Sequence, residues 1–408
     1  MERKVLIVVE NLPVPFDTRI WQEATTLVRN GYVVSVISPM GKGYEKEFEV
    51  LEGVHIYRHP LPKEGNGFLG YFNEYFCALW HEYRLARKVR KEVGFDVIHG
   101  ANPPDNIFLL SYLFRGVDFI FDHHDICPEL YYAKFRKYGI LYRIQLLLER
   151  LTYRRASIAF VTNESYRKIA MSRGMMKDED VFVLRSGPRL ERMRIQPPNP
   201  SLKMGKRYLV AYVGVIGQQE GLDYLVDAAY YIRNTLNRDD IRYVICGGGP
   251  YLETLSTRIE ALRLSGIMEL TGRIPDDRLM ETLNTADICL NPDEFNEMND
   301  KSTMNKVLEY MALAKPMVQF DLTEGRFSAD KASLYAKAND AVDLAHKIIT
   351  LLDDEEMRVF MGQYGYNRIL NQLSWEHTHK ALLEGYDYYY TKKRIRDAVI
   401  HPVHQWRR

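Results

Sequence analysis

Residues 4–39 read KVLIVVENLPVPFDTRIWQEATTLVRNGYVVSVISP. Val5 to Val9 is a continuous apolar run that ends at Glu10, TRIWQEATTLVRNG has the spacing of an amphipathic helix closed by Gly31, and YVVSVISP is a second apolar run. A strand that is apolar at every position, rather than at alternate ones, is buried on both faces. With a helix between two of them, the pattern predicts parallel strands joined by a crossover. FDVIHG (95–100) and DFIFDHHD (118–125) repeat the short apolar run ending in polar residues. The first half therefore predicts a parallel sheet covered on both faces, with polar residues just past the strand ends, where open α/β sheets place their ligands.

RIQPPNPSLKMGKR (194–207) interrupts this alternation with three prolines and no apolar periodicity, and is expected to be an interdomain linker. Alternation then resumes with RYLVAYVGVIG, a helix over 222–232, RYVICGGGP, a helix from Tyr251, IMELTGR, ADICLNPD and PMVQFD. The fold class predicted is α/β, with two doubly wound Rossmann-like domains over 1–196 and 206–372. SWEHTHKALLEGYDYYYTKKR opens a C-terminal segment, 373–408, read as an aromatic-rich helix and a basic tail.

A chain of 408 residues, 46% hydrophobic and 27% charged, has ample core material for two domains. Its formal net charge of +1 argues against a nucleic-acid partner. Cys77, Cys127, Cys246 and Cys289 are far apart and form no zinc-ligand spacing, so they read as buried thiols in a reducing compartment. The N-terminal apolar run is too short for a signal peptide, and no stretch approaches a membrane span. The expected location is cytoplasmic, peripheral on the inner face of the cell membrane. The charge is uneven, because residues 131–173 carry ten lysines and arginines against Glu149 and Glu164. YGILYRIQLLLERLTYRR within them is either a basic amphipathic helix lying on an anionic membrane surface or a packed helix with a solvated arginine face.

Three places in the second half could meet an anion. GGGP (247–250), with Gly248, follows a strand and precedes a helix, and reads equally as a tight structural turn or a phosphate contact. NDKSTMNKVLEYMA (299–312) offers Asp300, Ser302, Thr303 and Asn305 as helix caps. Lys306 in the first turn opposes the helix dipole unless an anion sits in front of it; the alternative is a solvated lysine. Glu309 lies one turn on, either paired with Lys306 or accepting hydroxyl hydrogen bonds. In the first half, NLPVPFDTR carries Asp17 and Arg19, GANPPDN carries Asn102, and FDHHDICPEL carries Asp122, His123, His124 and Asp125, all just past strand ends. Adjacent histidines in extended chain point to opposite sides, so one is expected to be satisfied inside and the other to face a ligand.

The order DTRIWQEA, FDHHD, linker, YVGVIGQQEGLDYLVDAA, GGGP, TGRIP and NKVLEYMALAKPMVQFD resembles glycosyltransferase family 4, from Val5 to about Tyr389. The resemblance implies a GT-B architecture, two Rossmann-like domains facing a central cleft, with the last helix returning to the first domain. It implies transfer of a sugar from a nucleotide diphosphate with retention and without a bound metal or other cofactor. Glu309 then matches the second glutamate of an E-x7-E motif and holds the donor ribose. Lys306 and the helix start around Ser302, Thr303, Met304 and Asn305 match the diphosphate neighbourhood, and His124 faces the transferred sugar. Arg273 follows Gly272 in the loop that meets the base, and Tyr212–Gly214 with Gly217 match the strand and loop that open the donor domain. Lys301 stands where the first glutamate of the motif belongs, and Val215 and Glu220 stand where two phosphate-binding cations belong. Sugar contacts are therefore expected from Asp300 or Asn299, and phosphate charge from Lys306 with Arg185 or Arg19. On the acceptor side the candidates are Asp17, Arg19, Asn102 and Asp125. The implied function is a retaining hexosyltransferase that moves sugar from a UDP- or GDP-sugar to a glycan or lipid-linked acceptor in surface polysaccharide or glycolipid synthesis. The alternatives are a nucleotide-sugar epimerase and a catalytically silent partner subunit.

Overall fold

The protein is described here by a computed structural model covering residues 2–60 and 67–400, without the side chains of 67–75 and 400. It divides into two compact units, one holding residues up to 132, 137–185 and 379 onward, the other 133–136 and 186–378.

In the first unit the order is β1 (Lys4–Val9), α1 (Thr18–Arg29), β2 (Val33–Pro39), β3 (Phe48–Leu51), β4 (Val54–His59), α2 (Gly67–Glu92), β5 (Val97–Ala101) and β6 (Asp118–His123). α3 (Cys127–Phe135), α4 (Ile140–Arg155), β7 (Ile158–Val161), α5 (Glu164–Ser172) and β8 (Val181–Val183) follow. The strands form one sheet in the order β3-β4-β2-β1-β5-β6-β7-β8, parallel except for β3 against β4 at its edge. Val5 to Val9 are buried at every position, as expected of a central parallel strand. The Asp17 carboxylate caps α1 by accepting from the Ile20 N–H at 3.1 Å, and Gly31 ends it at φ +82°. Strand order reverses between β1 and β5, so the loops after β1, β5 and β6 meet at one sheet edge.

The second unit runs β9 (Tyr208–Val213), α6 (Leu222–Asn234), β10 (Ile241–Cys246), α7 (Leu252–Ala261), β11 (Met268–Gly272), α8 (Asp276–Thr285) and β12 (Ile288–Asn291). After these come α9 (Glu297–Lys301), α10 (Asn305–Ala312), β13 (Met317–Phe320), α11 (Thr323–Ala329), β14 (Ser333–Ala336), α12 (Ala341–Asp353) and α13 (Glu355–Arg368). Its sheet is parallel throughout, in the order β11-β10-β9-β12-β13-β14, with the reversal between β9 and β12. Apolar clusters pack on both faces, one around Leu225, Ile245 and Leu344, the other around Leu283, Val307 and Met311.

α14 (Trp375–Ile400) joins the first unit from His379 on. The buried Tyr386 hydroxyl bonds His99 Nδ1 at 2.8 Å, Tyr389 and Arg396 donate to Asp118, and Tyr388 and Lys392 donate to Asp180. The basic tail beyond residue 400 lies outside the described residues. Among the described residues no helix is long and apolar enough to cross a membrane, and all four cysteines are free.

The proline-rich stretch 194–207 is not a free linker. The chain leaves the first unit between Arg185 and Ser186, and the stretch lies on the second unit. Gln196 N–H donates to Asn284 Oδ1 at 2.9 Å, Asn199 N–H to Thr285 Oγ1 at 2.9 Å, and Lys203 binds Asp287 at 2.8 Å. Prolines leave few backbone donors to satisfy, and side chains at the end of α8 satisfy these.

Candidate functional site

In the second unit the polar groups gather where β9 and β12 diverge. α10 is set there by Tyr310, whose buried hydroxyl donates to Leu290 O of β12 at 3.2 Å and accepts from Val213 N–H of β9 at 2.9 Å. Lys306 in the first turn of α10 is buried, and its Nζ donates to Asp293 Oδ1 at 2.7 Å, Glu220 Oε2 at 3.0 Å and the Tyr212 hydroxyl at 3.3 Å. It also stands 4.7 Å over the Tyr212 ring. Burial opposes the charge on Lys306, but Asp293, Tyr212 and Glu220 outweigh it and hold the ammonium well above its usual range. Burial pushes the Asp293 carboxyl up to about 7, with Lys306 opposing and Glu220 reinforcing the rise. Lys306 is thus neither a solvated lysine nor the partner of Glu309; it is the counter-ion of two carboxylates.

Glu309, one turn on, is a quarter exposed and makes no hydrogen bond among the described residues; Arg192 Nη1 lies 4.0 Å away. Burial outweighs Arg192 and raises its carboxyl from the ordinary range. The expected caps of α10 serve elsewhere. Its N-cap is Met304, which supplies no side-chain acceptor. Asp300 accepts from the N–H and hydroxyl of Thr323 at the start of α11, which occupies the carboxylate expected to meet the sugar. Asn299 is buried and donates to Gln219 O and Glu294 O, while Ser302 donates to Met298 O. Thr303 is half-buried and Asn305, the first residue of α10, is exposed. Lys301 pairs with Glu297 at 3.4 Å.

The GGGP loop is a tight turn laid on the loop after β9. Ile216 N–H donates to Gly248 O at 3.0 Å and Gly214 N–H to Cys246 O at 3.1 Å. Gly247 has φ +149°, and a Cβ there would lie 1.8 Å from Gly214 O, so close approach of backbone requires the glycine. Gly217 ends the loop, and Val215 is exposed beside it. Arg273, after Gly272, is exposed in the second unit, whereas Arg185 is buried in the first.

In the first unit a buried network lies past the ends of β1, β5 and β6. Arg19 donates to Asp122 Oδ1 at 2.6 Å and to Leu184 O at 2.8 Å; its Nε stands 3.1 Å from Glu23 Oε1 and 2.8 Å from His124 Nε2. His124 Nε2 also meets the Asp122 carboxylate, so that nitrogen is engaged by both Arg19 and Asp122, and Nδ1 is the ring nitrogen outside these contacts. Burial alone would raise Asp122, but Arg19 and His124 outweigh it and hold the carboxyl well below its usual range. Burial, with Asp122 alongside, holds Glu23 well above it. Glu23, Asp122 and His124 have ligand atoms close enough to share a metal ion, but the guanidinium of Arg19 already lies among them as their cation. The same contacts commit Arg19, which does not stand free as a phosphate ligand.

As the alternation of side chains requires, the two histidines diverge. His123 is fully buried, 2.5 Å from the Tyr153 hydroxyl, and His124 is partly exposed. Asn102 is buried and works inside the fold rather than on its surface. Its Oδ1 accepts from the N–H groups of His124 at 2.6 Å and Asp125 at 3.2 Å, and its Nδ2 donates to Asp105 and Asp125 O. Asn102 therefore pins the loop that presents His124, and Asp17 is occupied as the cap of α1.

Sequence reasoning missed Glu23, Asp293 and Tyr310 as members of these sites, and His99, whose Nε2 lies 3.4 Å from Glu23 and 3.6 Å from Asp122. Glu23 lies one turn after Arg19 on the buried face of α1, and Asp293 follows directly on the apolar run of β12. A polar residue just past a buried strand is the signal that marks Asp293 in the sequence.

Two family models divide the chain between them. Residues 17–192 match the model described as Glycosyltransferase Family 4, and 195–368 match Glycosyl transferases group 1. The alpha-maltose-1-phosphate synthase of Mycolicibacterium smegmatis is 24% identical over 302 residues, 68% of this chain and 74% of that protein. Other curated relatives are matched over less than half their own length. Among solved structures, the sucrose-phosphate synthase of Thermosynechococcus elongatus superposes with a TM-score of 0.74 at 15% identity, over 96% of this chain and 100% of that one. The Anabaena protein HepE, in complex with UDP and glucose, gives 0.70 at 14% identity over 95% and 100%. These matches agree with the two doubly wound sheets. The chain belongs to the GT-B glycosyltransferases of the family 4 type and is a glycosyltransferase.

Proposed function

We propose that the protein is a retaining transferase that moves a sugar from a UDP- or GDP-sugar to a glycan or lipid-linked acceptor in surface polysaccharide or glycolipid synthesis. The observation that carries this reading is Glu309, a half-buried carboxylate without a hydrogen bond among the described residues, one turn from Lys306 on a helix whose first turn lacks a side-chain cap. A pair of ribose hydroxyls would satisfy Glu309, and the diphosphate would take the uncapped N–H groups of α10 in front of Lys306. His124, its Nε2 engaged by Asp122 and Arg19 and its loop pinned by Asn102, would offer Nδ1 to a sugar hydroxyl. Stabilisation of the departing diphosphate would be electrostatic, from Lys306 and backbone N–H groups, with no metal assigned a part. The first unit would take the acceptor, with Asp125 beside His124.

The basic segment fits a lipid-linked acceptor. Ile140, Ile144 and Leu147 are exposed along α4 with Tyr138 before it, and Arg143, Arg150 and Arg154 are exposed with them. Each such cation near an anionic surface contributes about 1 kcal/mol. Flotation with liposomes tests this, and binding independent of anionic lipid would remove it.

Calorimetric titration with UDP, GDP and ADP tests the donor site. One of them should bind the wild type, and Glu309→Gln should weaken that binding; no binding, or an unaffected variant, refutes the assignment. A second reading, a catalytically silent subunit of another transferase, is favoured by the two carboxylates around Lys306. It predicts stable co-purification with a partner and no sugar transfer to any acceptor.

A further inference from the structure

The head of α10 has a charge imbalance. A nucleotide sugar brings two negative charges, yet Lys306 already lies between Asp293 and Glu220. With both carboxylates ionised, the cluster carries one net negative charge before any ligand arrives. Asp293 is completely buried; its Oδ1 takes the Lys306 ammonium, while its Oδ2 is buried without a hydrogen-bond partner among the described residues. A bare carboxylate oxygen in such surroundings is costly, and two acids gathered at one lysine are more cheaply held with a proton between them.

We propose that Asp293, with Glu220 beside it, is a proton-accepting carboxylate behind Lys306, and that a nucleotide sugar binding at the head of α10 draws one proton onto Asp293. The proposal rests on the reading of α10 as the donor site. The proton comes from solvent and adds to a carboxylate oxygen, so the negative charge entering with the diphosphate is partly cancelled and Lys306 is released from Asp293 to face it. Asp293 is on this view a positioning residue that acts through Lys306. The groups facing it are Tyr212 from β9, Glu220 from the turn before α6 and Lys306 from α10, with Tyr310 beyond Lys306 and Tyr212. Burial holds both tyrosine hydroxyls far above their ordinary range, and Lys306 stays charged. Titration near neutrality thus falls to the carboxyl of Asp293, which burial has raised to about 7.

The test is calorimetric titration of the full chain with UDP-glucose, GDP-mannose and ADP-glucose, in buffers of different ionisation enthalpy, from about pH 6 to about pH 8.5. The diphosphate of a nucleotide sugar is a diester and does not titrate in this range, so the protons counted belong to the protein. For whichever donor binds, uptake should rise from near zero at the acid end towards one proton at the alkaline end. Affinity should fall by up to about tenfold per pH unit above neutrality. Asp293→Asn and Glu220→Gln should each abolish the uptake and flatten the pH profile. Binding without proton uptake, or uptake unchanged in both variants, overturns the proposal and leaves the donor site standing. Failure of all three donors to bind at any pH overturns the donor-site reading and the proposal with it. If the variants fold poorly, the wild-type proton count decides alone.

Discussion

Replacing Lys306 with methionine keeps the stem of the side chain and deletes the cation that contacts both Asp293 and Glu220. At the observed separations of 2.7 and 3.0 Å, and an effective dielectric constant of about 20, each pair attracts by roughly 5–6 kcal/mol before solvation is counted. Desolvation of three buried or half-buried groups offsets most of this, and breaking such a cluster from one side costs about 3–5 kcal/mol. At about 2–4 °C per kcal/mol for a unit of this size, the midpoint of the second unit's thermal transition should fall by roughly 10 °C. The loss has a pH signature. Without Lys306 nothing opposes burial, so the Asp293 carboxyl rises further still. A carboxyl raised in the folded state contributes stability below its unfolded pKa and loses it as pH climbs through the folded one. The deficit of Lys306→Met should therefore be large at about pH 8 and shrink at about pH 5, where the pair takes up protons. Scanning calorimetry at both pH values measures it. A shift below about 2 °C, or the same shift at both pH values, would refute the cluster as drawn. Adding Asp293→Asn should restore much of the loss, because the charge left stranded is then gone.

Glu82 on α2 is completely buried, neither carboxylate oxygen has a hydrogen-bond partner among the described residues, and burial pushes its carboxyl up to about 8. Glu82→Gln should therefore match the wild type at about pH 5 and exceed its melting temperature increasingly through about pH 9; parallel curves would contradict this. Asn102→Ala strands two N–H groups beside His124 and should cost about 2–4 kcal/mol. Its kcat should fall more than its KM rises, because the pinned loop presents His124; a fall in stability with full kcat would refute the positioning role. Glu309→Gln should weaken donor binding about tenfold, near 1.4 kcal/mol, with an unchanged melting temperature, since the Glu309 carboxylate has no hydrogen bond among the described residues to lose. Destabilisation of several degrees would show that Glu309 serves the fold instead.

The fold was legible because burial writes itself into composition. Val5–Val9 and Leu209–Val213 are apolar at every position, and only a strand covered on both faces tolerates that. The segment 194–207 misled because proline marks irregular backbone, not freedom, and nothing local announced that Asn284 and Thr285 would receive its N–H groups. At the site, the residues near strand ends were visible, and their partners were not. That Lys306 turns towards Asp293 and Glu220, and not towards Glu309, depends on β9, β12 and α10 meeting, separations of 13 and 86 residues along the chain. The expected caps Asp300 and Ser302 had the right chemistry for α10, but Thr323 and Met298 lay closer to hand. Likewise, Arg19 read as a surface cation near a ligand, whereas Glu23 and Asp122 enclose it.

The most direct measurement is transfer itself. The wild-type chain would be incubated with UDP-glucose, GDP-mannose and ADP-glucose in turn, over a cell-envelope lipid extract, and the products read by mass spectrometry and NMR. One donor should be consumed only when acceptor is present, releasing nucleoside diphosphate and leaving a product whose anomeric configuration equals that of the donor. A product of inverted configuration, or no turnover of any donor despite an intact fold, would contradict the mechanism proposed for α10 and His124.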